Sequence, residues 1–149
     1  MPTSNAVEPL GIILLRLQRG LERELIQGIQ GAGYPDVRMR HLSVLETLGP
    51  EGARASALAL HFDMTAQSMG ELIDDLERSG YLSRVQDPAD RRARILTLTL
   101  RGQVAIAACQ AIVTEIEQRY ESLLGRPRYQ EARASLVELL RHVEGNAAT

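Results

Sequence analysis

The chain of 149 residues is 44% hydrophobic and 24% charged, with a formal net charge of −2 at pH 7. That is the make-up of one ordinary globular domain with extensions, and any attraction to nucleic acid must come from local clustering of charge. A single cysteine, Cys109, excludes an intrachain disulfide and fits a reducing cytoplasm, while the early apolar run Leu10 to Leu15 has no basic stretch before it and ends at Arg16. It is neither a signal peptide nor a membrane span.

Aromatic residues make up 3% of the chain, with no Trp and one Phe, so the core must be aliphatic, which favours helices. Residues 1–7 read as a frayed end. From about Glu8 to Gln30, Leu10, Leu14, Leu17, Leu21, Leu25 and Ile29 recur every three or four positions. This predicts an amphipathic helix with a narrow apolar seam that packs on another helix. The Gly31-Ala32-Gly33-Tyr34-Pro35 cluster ends it. A second helix covers about Val37 to Leu48 and stops at Gly49-Pro50. A short third helix covers Arg54 to His61, and Phe62-Asp63-Met64 makes a tight turn.

Thr65 is a good cap for the fourth helix, where Met69, Leu72, Ile73 and Leu76 form one apolar stripe and Gly80 closes the end. Two short strands come next, about Tyr81 to Val85 and Arg94 to Leu98, around the turn at Pro88. Thr99 caps a long helix from about Leu100 to Leu124. Gly125-Arg126-Pro127 breaks it, and a last helix from about Tyr129 to Val143 carries Leu136, Leu139, Leu140 and Val143 along one stripe. The order predicts a mainly α fold with a small β-hairpin wing, a winged helix-turn-helix.

In such a fold the recognition helix, here 65–79, can enter a major groove. Its outward line holds Gln67, Glu71, Asp74 and Arg78, with Ser68 beside it. Gln67 can bridge an adenine edge, Ser68 a base or a phosphate, and Thr65 a phosphate at the helix N-terminus. Glu71 can accept from cytosine N4 but, like Asp75, repels phosphates. An ordinary solvated helix face would read the same way. The wing, 86–93, weighs differently. Between Tyr81 and Gly102 five arginines, Arg84, Arg91, Arg92, Arg94 and Arg101, face two acids, Asp87 and Asp90. Arg91 and Arg92 lie at its tip, where a guanidinium can enter a narrow minor groove. Asp90 or Asp87 can brace an arginine through a bidentate pair.

The segment from Glu71 to Gly102, ELIDDLERSGYLSRVQDPADRRARILTLTLRG, resembles the signature of the MarR family of bacterial transcription regulators. The resemblance rests on Leu72, Leu76 and Gly80, on the wing motif Asp87-Pro88-Ala89-Asp90-Arg91-Arg92, and on Leu98-Thr99 with Gly102. It implies a homodimer held by N- and C-terminal helices, 1–34 and 100–149, with 35–99 as the DNA-binding region. Leu10, Leu14, Leu17, Leu21, Ile112, Ile116, Leu136, Leu139 and Leu140 are then the expected dimerisation residues. By position, Arg92 matches the wing arginine of the minor groove, Asp90 the acid that orients it, and Asp74 an acid that braces the wing. Thr65, Gln67 and Ser68 fall where the family contacts bases and phosphates, with Glu71, Arg84 and Arg91 beside them. Many relatives carry a basic residue at the position of Glu71, and often another at Asp75.

The family also binds small phenolic or anionic lipophilic effectors between the dimer helices and the DNA-binding lobe, which makes Arg16 and His41 candidate lining residues. Cys109, among Ala107, Ala108 and Ala111, reads as a small core residue. His41, His61 and His142 are dispersed without metal-ligand spacing, and no catalytic constellation, metal site or cofactor motif is present. The expected function is a cytoplasmic, dimeric, ligand-responsive repressor of a pseudopalindromic operator on double-stranded DNA, not an enzyme and not membrane-bound. The alternative is a winged-helix dimer that works by protein–protein interaction.

Overall fold

The computed structural model describes residues 8–147, so the expected frayed end at 1–7 lies outside the described residues. The order is α1 (Leu10–Gly31), α2 (Met39–Leu48), α3 (Ala55–His61), α4 (Ala66–Arg78), β1 (Leu82–Gln86), β2 (Arg94–Leu98), α5 (Leu100–Leu124) and α6 (Arg126–Ala147). The chain divides into two compact units, Met1–Ile112 and Val113–Thr149, the boundary falling inside α5.

In the first unit the apolar stripes meet as expected. Ile29 of α1, Leu42, Val44, Leu45 and Leu48 of α2, and Leu58 of α3 are buried with Met69, Leu72, Ile73 and Leu76 of α4. Tyr81, Leu82 and Leu96 add the base of the hairpin, and Ala105 and Cys109 the first turns of α5. Thr65 caps α4 by accepting the Ser68 N–H at 3.1 Å. Between α3 and α4 the chain turns through Asp63 at φ +50°, a left-handed conformation that aspartate tolerates better than most residues.

β1 and β2 pair antiparallel, with Leu82 opposite Leu98 and Gln86 opposite Arg94. Ala53, just before α3, exchanges two backbone hydrogen bonds with Leu96 at 3.1 and 2.8 Å. This bridge, which the periodicity did not predict, requires Gly52: its φ is +73° and a Cβ there would stand 2.4 Å from Leu96 O.

α1 departs from the narrow seam expected of it. Leu21 and Leu25 are half-buried and Ile29 is buried. In the outer half Leu10, Ile12, Ile13, Leu14, Leu15 and Leu17 are all exposed, from 38% to 52%. At 100° per residue they surround the helix. In the second unit α6 starts at Arg126, not near Tyr129, because Gly125 at φ +79° makes the break by itself. Pro127 then sits in the first turn, where a missing N–H leaves nothing unpaired. Leu123, Leu136, Leu139, Leu140 and Val143 are exposed. Among the described residues no helix is long and apolar enough to cross a membrane.

Two glycines give opposite expectations for stability. A Cβ at Gly102 would lie 2.1 Å from Tyr81 O, whereas one at Gly70 would meet nothing within 4 Å. In urea denaturation Gly102→Ala should lose about 1–3 kcal/mol by overpacking. Gly70→Ala should gain about 0.5–1 kcal/mol from helix propensity.

Candidate nucleic-acid interface

The outward face of α4 presents Gln67, Ser68, Glu71 and Asp74, all exposed. Thr65 Oγ1 donates to Ser68 Oγ at 3.0 Å. Gln67 Nε2 donates to Glu71 Oε1 at 3.3 Å, one turn on. The helix carries four carboxylates, Glu71, Asp74, Asp75 and Glu77, against one arginine, Arg78. Arg78 donates to Asp75 at 3.0 Å.

Arg84, expected among the DNA-contacting residues, has its guanidinium engaged within the fold. From β1 it reaches the end of α4, donating to Asp74 Oδ1 at 2.6 Å and to Glu77 Oε2. The expected brace, Asp74, thus ties strand to helix through Arg84.

The wing is built on Asp87, whose backbone N–H donates to Ala93 O at 3.0 Å. Its carboxylate is only 8% exposed as a residue, accepts the Ala89 N–H at 2.8 Å, and receives Nε and Nη2 of Arg54 on one oxygen at 3.0 and 2.6 Å. Arg54 stands 33 residues away in sequence, immediately before α3, and no sequence pattern singles it out. Asp90 lies 3.7 Å from the same guanidinium. Asp90 accepts the backbone N–H of Arg92 at 3.0 Å, so it fixes the main chain of Arg92 where a guanidinium pair was expected. Gln86 holds the carbonyl of Arg91 at 2.8 Å. Arg91 and Arg92 themselves are exposed, and neither guanidinium has an acidic partner among the described residues.

Arg16 and His41 are not brought together. Arg16 is exposed and paired with Glu8 at 2.8 Å. His41 is buried; its Nδ1 accepts the Arg38 N–H at 3.2 Å, and its Nε2 finds no hydrogen-bond partner among the described residues. Burial, with Arg40 adding to it, holds its imidazole below the ordinary value. A cleft of about 580 Å³ lies elsewhere in this unit, lined by Leu45, Glu46, Gly49 and Pro50 at the end of α2, by Thr97 and Leu98, and by Gln103, Ile106 and Gln110 of α5. Of these, Glu46 alone is charged. The Cys109 Sγ approaches its Oε1 at 3.8 Å, and burial, with that carboxylate adding to it, pushes the thiol up to about 11. Cys109 is therefore a protonated core residue near neutral pH. Of the expected dimerisation residues, Leu10, Leu14, Leu17, Leu136, Leu139 and Leu140 are exposed. Ile112 is partly buried against the core and Ile116 is buried.

Residues 33–93, from the end of α1 through the wing, match the family model described as MarR family. Over that stretch the chain is similar to the MarR family. The HTH-type transcriptional repressor Rv2887 of Mycobacterium tuberculosis is 27% identical over 131 residues, 88% of this chain and 93% of its own. Rv2887, a MarR family protein, has been solved in complex with DNA. That structure superposes with TM-score 0.68 at 26% identity, covering 89% of this chain and 98% of that one. It has also been solved with salicylic acid, at TM-score 0.66 and 26% identity over 90% and 98% of the two chains. The transcriptional repressor CouR, bound to a 23-mer DNA duplex, superposes with TM-score 0.71 at 27% identity over 97% of this chain and 98% of its own. The MarR match ends at Ala93 and so takes in both arms of the Arg54–Asp87 clamp.

That clamp should loosen in acid. Arg54 holds the Asp87 carboxyl below its usual 3.8, the Ala89 N–H adding to the effect. The stabilisation is complete above the unfolded-state value and disappears as the pH falls through the lower folded-state value. The protection factors of the Ala89 and Ala93 amides, each rate taken against its intrinsic rate at the same pH, should fall below about pH 4, and Asp87→Asn should show the same loss of protection at neutral pH.

Proposed function

We propose that this protein is a dimeric, ligand-responsive transcriptional repressor that reads a pseudopalindromic DNA site with 35–99, using α4 in the major groove and the wing in the flanking minor groove. The single observation carrying this reading is the wing. Its turn is held rigid by Arg54, Asp87 and Asp90, yet the two arginines it displays have no acidic partner among the described residues. A guanidinium held out in this way suits the negative potential of a narrow minor groove. Thr65 and Ser68 at the start of α4 suit phosphate contacts, and Arg84 serves the protein by joining β1 to α4. Rv2887 and CouR, each solved with DNA, support the reading, and we assign the chain no reaction.

The residues 1–34 and 100–149 serve dimerisation. A helix that is apolar all round is normally enclosed, and the outer half of α1 has that character. A second copy of the chain is the cover we propose for it and for the exposed leucines of α6.

For the effector, the cleft beside Glu46 suits an uncharged phenol, its ring against Leu45, Leu98 and Ile106 and its hydroxyl donating to the carboxylate. A molecule bound there touches α2, β2 and α5 together, and it lowers DNA affinity by its preference for the arrangement that does not fit DNA.

In a fluorescence-anisotropy titration against the DNA upstream of its own gene, Arg92→Ala should weaken binding about tenfold. The slope of log affinity against log salt should become shallower by about one unit. Unchanged affinity and slope would sink the wing assignment. Leu14→Asp should halve the mass seen by sedimentation velocity; a variant that sediments as the wild type would remove α1 from the dimer.

A further inference from the structure

The part of α4 that enters a groove, Ala66 to Asp74, contains no lysine or arginine. Of the arginines near it, Arg84 is engaged by Asp74 and Glu77 and Arg78 by Asp75, while Arg40 of α2 lines a cleft with Ser68, Glu71 and Asp75. That part of the helix itself therefore carries no guanidinium for guanine O6 and N7, the commonest base contact in a major groove. It has instead the Gln67–Glu71 couple. A carboxylate only accepts, so the Gln67 amide must turn its NH₂ toward Glu71 Oε1. Its carbonyl oxygen then faces away, and the second amide hydrogen remains available beside it. Glu71, itself exposed, keeps its other oxygen free.

In the major groove the hydrogen-bond donors on base edges are adenine N6 and cytosine N4. A fixed amide that offers an acceptor and a donor side by side matches the N6 and N7 of adenine. A carboxylate oxygen one turn on matches an amino group of a neighbouring base and is repelled by guanine O6. Resting on the DNA-binding reading above, we propose that Gln67 and Glu71 act as one unit that selects exocyclic amino groups: an adenine edge at Gln67 and a neighbouring cytosine N4 at Glu71. Glu71 is then the residue that sets specificity. It contributes nothing to backbone affinity, and it orients Gln67.

The test begins with duplexes selected from a randomised library by the wild-type protein, and anisotropy titrations are then made on the best site. In one set of duplexes each cytosine of the half-site is replaced in turn by N4-methylcytosine. In a duplex the second amino hydrogen is committed to base pairing, so the methyl group occupies the groove-facing position. One such replacement should weaken wild-type binding about tenfold, while 5-methylcytosine at the same place, which leaves N4 intact, should not. Glu71→Ala should be insensitive to the N4-methyl group. It should bind random duplex more tightly than wild type, and its selected site should lose the preference at that cytosine and weaken it at the adjacent adenine. If Glu71→Ala selects the same site and remains equally sensitive to N4-methylation, while Arg92→Ala still loses affinity, the inference is overturned and the regulator reading stands. If the wild type retains no duplex at low salt, both fall.

Discussion

Tyr81 is the residue on which the geometry of the reading unit depends. It is buried where α4 ends and β1 begins, and every polar group it owns is committed. Its N–H donates to Leu76 O at 2.9 Å and its carbonyl accepts from Thr99 at 3.1 Å. Its hydroxyl donates to Asp36 at 2.8 Å, in the linker between α1 and α2. Arg101, at the start of α5, lies 4.7 Å over its ring and donates to its oxygen at 3.2 Å. One residue thus ties together the end of α4, the start of the hairpin, the linker between α1 and α2, and the start of α5. Burial, reinforced by Asp36, pushes its phenol up to about 12, so the hydroxyl stays a donor across the physiological range. The close approach of Gly102 to Tyr81 O belongs to the same joint, because α5 can begin there only if its first turn lacks a side chain on that side.

Much of this architecture is legible in the sequence, for identifiable reasons. Local periodicity locates α4 and α5, since Met69, Leu72, Ile73 and Leu76 must share a face and Thr99 must cap the long helix that begins at Leu100. The Asp-Pro turn and its arginines mark the wing. The features that escape depend on contacts between distant residues. Arg54 has no neighbouring pattern to reveal that it holds Asp87, and Arg84 looks like a DNA contact until the fold places it between Asp74 and Glu77. Counting leucines alone makes α1 a seam. Ile12, Ile13 and Leu15 fill the other faces, and only the exposure of the whole set shows it.

These contacts also account for the charge pattern that sets the helix apart. Arg84 and Arg78 are used to hold the protein together, and acids on α4 are the partners that make this possible. Asp74 and Glu77 join strand to helix, and Asp75 holds Arg78. Glu71 is the acid in this set that pairs with no arginine; it bonds an amide on the reading face.

A recognition helix with four carboxylates and one arginine has a consequence for how the protein finds its site. Attraction to DNA of arbitrary sequence comes almost wholly from neutralised phosphates, and this helix offers little of it. On the proposed reading, initial capture would fall to the wing arginines Arg91 and Arg92. Encounters with unrelated DNA would then be brief, and travel between sites would proceed through solution more than along the duplex. In a genome offering millions of competing positions, a low background residence raises the fraction of molecules free to occupy the operator even when the operator itself is held with modest strength.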